Sequence, residues 1–484
     1  MFYRLLVSAM LVIPAGSAAA QTLALEDCRI TAGPAFPSFK ARCGTLERPL
    51  DPDRPDGETI DLSVAVIPAL TLEPLPDPVV PIAGGPGQAT THFYGATPNA
   101  FEPLRRERDI ILVDQRGTGD SAPLACEVDD EVLQGQVSRE QTLEATRACL
   151  DALAYDPRFF TTSVAVRDLE AVRVALGYEA FNLYGISYGT RVAQHFARRY
   201  PESTRSVILD GVVPPQLALG PDIAIQSQRA IERIFSRCEE DDACRERFPR
   251  LAAQFRELEA ALETEAVSVR INHPVKGYPE TVDFGAEAFA SALRLLAYHP
   301  TTIALIPLLV DQAAEGHYAP LAAQFVSVRD ALADSLAGGM HNAVVCTEDA
   351  PFFSGEAITD EELAATYIGP VLKESLEAMC SVWPAGVMDP DFKRPLATNI
   401  PVLLLSGEVD PITPPRYAEL AAVELDNALL LTGRLQGHGL APRGCVPDIM
   451  KEFVDEASVS DIDTACIDRV FAMPFFLSFG GPAP

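Results

Sequence analysis

The stretch FNLYGISYGTRVAQHFARR, residues 181–199, decides how the rest of the chain is read. Its opening, Phe181–Tyr184, is apolar and β-prone and reads as a buried strand. Its end, Thr190–Arg199, reads as a helix. Between them stands Gly185-Ile186-Ser187-Tyr188-Gly189, a G-x-S-x-G pattern. A strand that turns directly into a helix forces the residue at the apex into a strained conformation, and flanking glycines let the two backbones pass closely. The serine hydroxyl then stands above the sheet, with the positive end of the helix beneath it. The bare pattern arises easily by chance. The strand before it and the helix after it make Ser187 a candidate nucleophile.

The same rhythm continues on both sides. Thr59–Pro68 alternates like a strand, and Val79–Ile82 and Asp109–Val113 are short apolar runs. Val164–Leu176 has helical spacing, and Arg205–Leu209 is a strand ending at Asp210-Gly211. Strand patterns return at Ile400–Leu405 and Ala428–Leu431. Alternating strands and helices predict a mostly parallel sheet covered on both faces. From about Pro214 to Ala397 strands thin out and helical patterns dominate, as in Arg250–Glu263 and Ala286–Ala297. The expected division is therefore a leader at 1–20, a core at 21–213, a helical cap at 214–397 inserted between late strands, and a return to the core at 398–484.

A serine hydroxyl needs a base to take its proton. Of seven histidines, only His438 lies in a glycine-flanked loop (Gly437-His438-Gly439) after the last strand. His92 follows the glycine loop too closely, His195 lies inside the helix after Ser187, and His273, His299, His317 and His341 fall in the insertion. The base in turn needs an acid to fix its tautomer. Asp410 follows strand Ile400–Leu405, with Glu408 as the competing carboxylate, expected at the surface. The order Ser187, Asp410, His438 is that of the α/β-hydrolase fold. For the oxyanion, one N–H is expected from Tyr188 and another from the Gly84-Gly85-Pro86-Gly87 loop, at Gly85 or Gly84. Gly117-Thr118-Gly119 after a strand imitates a dinucleotide fingerprint. No helix pattern opens at once, and Asp114 and Arg116 crowd the turn, so a structural loop is expected. Asp51–Gly57 imitates a calcium loop but has Leu62 where the twelfth-position acid belongs, so a hairpin turn is expected.

Composition narrows the classes. The 484 residues are 48% hydrophobic and 22% charged, which excludes wholesale disorder. Lys and Arg total 38 against 68 Asp and Glu, a net charge of −30. So acidic a balance argues against nucleic acid and anionic membranes as partners. Residues 1–20 carry one charge, Arg4, then the apolar run Leu5–Ala15 and small residues ending in Ala18-Ala19-Ala20. This is the pattern of a signal peptide cleaved near Ala20, which predicts an exported protein, periplasmic or extracellular, with no stable membrane insertion. Ten cysteines follow it, with neighbour separations of 15, 23, 6, 34 and 21. Ten admit 945 pairings (9×7×5×3×1), and the clustering favours neighbour with neighbour. No metal-ligand spacing stands out, and neither metal nor cofactor is expected.

Gly84-Gly85-Pro86-Gly87, Asp114-Gln115-Arg116-Gly117-Thr118-Gly119, the Ser187 segment, Gly407-Glu408-Val409-Asp410-Pro411 and Gly437-His438-Gly439 together resemble the prolyl aminopeptidase family of α/β-hydrolases. The likeness is greatest to its exported, tripeptidyl aminopeptidase-like branch and spans roughly residues 25–470. The resemblance implies a helical cap and a serine exopeptidase acting on peptides with a free N-terminus. It also implies acidic residues that hold the substrate ammonium, and Cys346-Thr347-Glu348-Asp349 matches that segment, making Glu348 and Asp349 the candidates. Ala83 departs from the histidine found there in smaller prolyl enzymes. The expected function is a largely monomeric aminopeptidase taking a peptide or other small acyl substrate. An esterase or amidase acting on small molecules is the alternative, and a binding protein on an inactive scaffold a more distant one.

Overall fold

Among the described residues nine strands form one sheet, in the order β1-β2-β3-β5-β4-β6-β7-β10-β11. The computed structural model describes residues 22–33, 36–126, 138–355 and 358–482. The leader read at 1–20 lies outside the described residues. β1 (Glu26–Thr31), β2 (Ser38–Pro49) and β3 (Thr59–Ile67) form an antiparallel edge. β3 pairs antiparallel with β5 (Ile110–Val113). From β5 onward, through β4 (Val79–Ile82), β6 (Phe181–Ile186), β7 (Thr204–Asp210), β10 (Val402–Gly407) and β11 (Ala428–Gly433), every pairing is parallel.

The parallel strands are buried on both faces, which is why they read as unbroken apolar runs. Val80, Ile82, Ile111, Val113, Leu183, Val207, Leu209, Val402 and Leu404 point to one face. There they meet helices Thr162–Leu176 and Tyr188–Arg199 through Val166, Val172, Val192 and Phe196. Their neighbours Val79, Ile110, Leu112, Tyr184, Ile208, Leu403 and Leu405 point to the other face. These pack on helices Thr90–Ala96 and Val446–Glu456. Asp51–Gly57 lies in the hairpin between β2 and β3, closed by Arg54 on the Asp51 carboxylate at 2.7 Å.

Residues between β7 and β10 form a second apolar cluster, with helices Pro221–Glu240, Leu251–Thr264, Ala286–Leu296, Ile306–Ala314 and Ala319–Ser335. The segment is not wholly helical. It holds a hairpin, β8 (Val267–Asn272) with β9 (Pro279–Phe284), whose inward side chains Val269, Ile271, Val282 and Phe284 fill the cluster. Its later part departs further from a separate cap. Helix Gly338–Glu348 sends Met340, Ala343, Val344 and Cys346 into the core of the sheet, beside Trp383 and Leu396. Conversely, Val409 and Phe475 from the returning chain enter the second cluster. Phe476 N–H donates to the Ala304 carbonyl at 3.0 Å, and Arg237 stacks 4.1 Å from the Phe475 ring centre.

Disulfides join Cys28–Cys43, Cys126–Cys149, Cys238–Cys244, Cys346–Cys380 and Cys445–Cys466, each cysteine to its neighbour in sequence. Among the described residues no helix is long and apolar enough to cross a membrane.

Candidate active site

Ser187 sits at the apex between β6 and its helix with φ 55° and ψ −126°, a left-handed conformation that costs a non-glycine residue about 1–3 kcal/mol. The flanking glycines are required by contact. A Cβ on Gly185 would lie 2.3 Å from the Gly189 carbonyl oxygen, and one on Gly189 would lie 2.2 Å from that of Ile82. The Ser187 N–H donates to the Asp210 carbonyl at 2.9 Å, which ties the apex to the end of β7.

Asp410 and His438 come from the loops after β10 and β11. The Nδ1 of His438 lies 2.8 Å from Oδ2 of Asp410. The carboxylate also accepts the N–H groups of Ile412 and Thr413 at 2.9 Å and the Thr413 hydroxyl at 2.7 Å. With its four acceptor contacts arranged this way, Asp410 is held ionised. Burial opposes the charge, but His438 and the hydrogen bonds outweigh it, and its pKa lies below the usual carboxylate value. For His438 burial works against protonation, yet the Asp410 charge and hydrogen bond, helped by Asp210, lift its pKa above the ordinary imidazole value. A proton on Nδ1, aimed at Asp410, leaves Nε2 as the basic nitrogen.

The base is also held by the inserted segment. His438 N–H donates to the Tyr298 carbonyl at 2.8 Å, and the Tyr298 ring meets the imidazole edge-on at 5.0 Å. Gly211, after the end of β7, leaves room for the base: a Cβ there would lie 3.0 Å from Cε1 of His438.

The glycine loop lies against the nucleophile. A Cβ on Gly84 would come within 2.9 Å of the Ser187 Cβ. Gly85 has φ +107° and precedes a cis proline. Beyond it, Gly87 accepts the Ala337 N–H at 2.9 Å, and Gln88 bridges to Leu336. The Asp114–Gly119 loop is a structural support for this region. Asp114 accepts the Thr91 N–H at 2.9 Å at the start of the following helix. Arg116, fully buried, makes a two-pronged pair with Asp168 at 2.6 and 2.9 Å. Breaking a buried pair of this kind costs about 3–5 kcal/mol.

Tyr188, the residue after the nucleophile, is buried, and its hydroxyl meets the Thr162 hydroxyl at 2.7 Å and the Gln115 amide at 3.0 Å. Thr162 leads to Glu348, whose carboxylate accepts the Thr162 N–H at 2.7 Å and its hydroxyl at 2.9 Å. Asp349 pairs with Arg191 at 2.9 Å and accepts the Leu219 N–H, also at 2.9 Å. Glu348 and Asp349 thus lie together, but both are buried and their oxygens already have partners. Burial pushes the Glu348 pKa up to about 7 against the opposing pull of Arg191 and Thr162. They support Tyr188 and its helix from below, which is a different placement from an open ammonium-binding pair.

The other candidates fall elsewhere. Glu408 is half-buried rather than on the surface, and binds Arg233 at 3.2 Å and the Leu435 N–H at 2.8 Å. His195 is buried against Asp389 at 2.8 Å, and burial lowers its pKa to about 4. Sequence reasoning missed Thr413, Tyr298, Thr162 and Arg191 as parts of the site, and passed Asp210 only as a strand end. Thr413 had a signal, since a hydroxyl three residues after an aspartate readily bonds back to it. Arg191 had a weaker one, one helical turn after the nucleophile.

Residues 365–466 match a family described as TAP-like protein. Serine protease Hip1 of Mycobacterium tuberculosis is 26% identical over 437 residues, 80% of this chain and 79% of that protein. A tripeptidyl aminopeptidase of Streptomyces lividans is 26% identical over 211 residues, 39% of each chain. Among solved structures, a proline iminopeptidase of Mycobacterium smegmatis matches with TM-score 0.40 and 17% identity, covering 85% of this chain and 98% of that one.

Proposed function

We propose that this chain, whose residues 365–466 match a TAP-like family, is an exported serine hydrolase that removes residues or short peptides from peptide N-termini. The observations that carry the chemistry are the 2.8 Å Asp410–His438 pair and a left-handed, glycine-flanked Ser187 on a neighbouring strand end of the same sheet. Ser187 Oγ attacks the acyl carbon while His438 Nε2 takes its proton, and Asp410 stabilises the imidazolium without accepting that proton. The N–H groups of Tyr188 and Gly85 hold the oxyanion. His438 returns the proton to the leaving amine. Water then attacks the acyl-enzyme by the same route and releases the acid. Five disulfides support export, since such bonds persist in oxidising compartments.

Peptide substrates are supported by the relatives named as a serine protease and a tripeptidyl aminopeptidase. An esterase or amidase acting on small molecules is the second reading. It is favoured by the partners of Glu348 and Asp349, which leave these two carboxylates poorly placed to hold a substrate ammonium. The deciding assay compares an Ala-Ala-Phe aminoacyl-amide chromogen bearing a free amine with its N-acetylated twin, with Ser187→Ala as blank. Cleavage of the free form alone is expected. Equal cleavage of both, or turnover of simple esters only, overturns the aminopeptidase reading.

A further inference from the structure

Asp210 is the last residue of β7, fully buried, and the mechanism above gives it no part. Its carbonyl accepts the Ser187 N–H at 2.9 Å. Its carboxylate accepts the N–H of Leu440 at 2.8 and 3.0 Å and that of Ala441 at 2.8 Å, two and three residues beyond His438. The Tyr184 hydroxyl donates to the same carboxylate at 2.9 Å. At Gly211, the next residue, a Cβ would lie 2.9 Å from the Thr413 hydroxyl and 3.0 Å from Cε1 of His438. One residue therefore grips the nucleophile through its main chain and the loop of the base through its side chain.

Resting on the serine-hydrolase reading, we infer that Asp210 is a positioning residue that sets the distance between nucleophile and base and anchors, through its carboxylate, the loop that carries His438. Two successive main-chain N–H groups on one carboxylate are a charge-assisted clamp, stronger than neutral hydrogen bonds. The clamp closes immediately after Gly439, whose φ of +82° makes the turn that carries the chain from His438 back over β7. A merely structural aspartate has no reason to sit within electrostatic reach of the base. Burial raises the Asp210 pKa, and the Leu440 and Ala441 N–H groups, the Tyr184 hydroxyl and His438 pull it back; in its ionised form it adds to Asp410 in keeping the imidazole protonated. The other groups facing His438 are Thr413, the Tyr298 ring and His299, which burial holds neutral with a pKa of about 4. Facing Asp210 are Tyr184, His438 and Arg443.

Asp210→Asn keeps the shape, loses the charge and turns an amide N–H2 toward main-chain donors. The test is the rate at which a rhodamine-linked fluorophosphonate labels Ser187, measured from pH 5 to 9. This readout is independent of the substrate class. Folded Asp210→Asn is expected to label about 10- to 100-fold more slowly, with the acid limb of the profile at lower pH than in the wild type. Tyr184→Phe, which removes one donor to the carboxylate and leaves its charge less compensated, is expected to slow labelling a few-fold and move the limb to higher pH, and it decides the matter where Asp210→Asn fails to fold. Wild-type rates with an unmoved limb overturn the inference, as does a slower rate with no shift in either variant. A wild type that takes no label removes the nucleophile and both readings. A labelled wild type with unchanged variants removes only this one.

Discussion

The sheet and the segment inserted between β7 and β10 contribute to the site in different ways. The candidate nucleophile, acid, base and glycine loop all stand on loops at one end of the parallel strands. The inserted segment supplies supports: the Tyr298 carbonyl to the base, Leu336 and Ala337 to the glycine loop, and Glu348 to Thr162 and so to Tyr188. The contrast teaches that the insertion is part of the frame that aims the reacting groups. It grips the His438 loop and the glycine loop at once, so it is fastened at two points around the candidate site.

That division of labour is open to attack, beginning where the largest loss is expected. Ser187→Ala is expected to abolish turnover, by at least about 10⁴-fold in kcat, with the fold intact by circular dichroism. Gly85→Ala comes next. Its φ of +107° and a contact of 2.8 Å with the Gly87 nitrogen leave no room for a Cβ. A displaced oxyanion donor predicts a fall in kcat of about 10²–10³, with KM little changed, in steady-state assays.

Ala337→Pro probes the inserted segment alone. Ala337 has φ −79°, which proline tolerates, and Leu336 before it is extended. The substitution removes the N–H that Gly87 accepts and sets a ring carbon against that carbonyl. A kcat five- to tenfold lower is expected, in keeping with about 1 kcal/mol for one hydrogen bond. An unchanged kcat would show the insertion to be a bystander on that side.

Glu348→Gln gives the smallest effect and bears on stability. A buried carboxyl whose pKa is raised to about 7 binds its proton more tightly folded than unfolded. Stability from this group is therefore fully present below about pH 4.3, the unfolded value, and is lost as pH rises through 7. The wild type is expected to lose thermal stability across that window, and Glu348→Gln to flatten the decline in melts taken at successive pH values.

The sheet was legible because its parallel strands are covered on both faces, and an unbroken run such as Val402–Leu405 admits few other readings. β1 and β2 were not, because only Ile30, Ala41 and Leu46 among their side chains are fully buried, too few to stand out as an apolar pattern. The β8–β9 hairpin did alternate, at Val267, Val269 and Ile271, but six residues among long helical patterns are a weak signal. Of the site, Asp410 and His438 were found from their place after strands, and the structure sets them in contact. The setting of Glu348 was not legible, because burial and the neighbouring Arg191–Asp349 pair are tertiary facts that leave no local trace. Asp210 escaped for the same reason: nothing around it announces partners 230 residues away.

Phe475 and Val409 lie inside the apolar cluster built chiefly from residues 231–326. A ribosome makes those helices first and the two closing side chains last, after β10 and, for Phe475, after His438 as well. The inserted segment cannot finish its interior while the nascent chain stops short of them. The last steps of its maturation therefore coincide with the arrival of the acid and the base, and a chain arrested before them holds a nucleophile with neither partner nor a closed insertion around it.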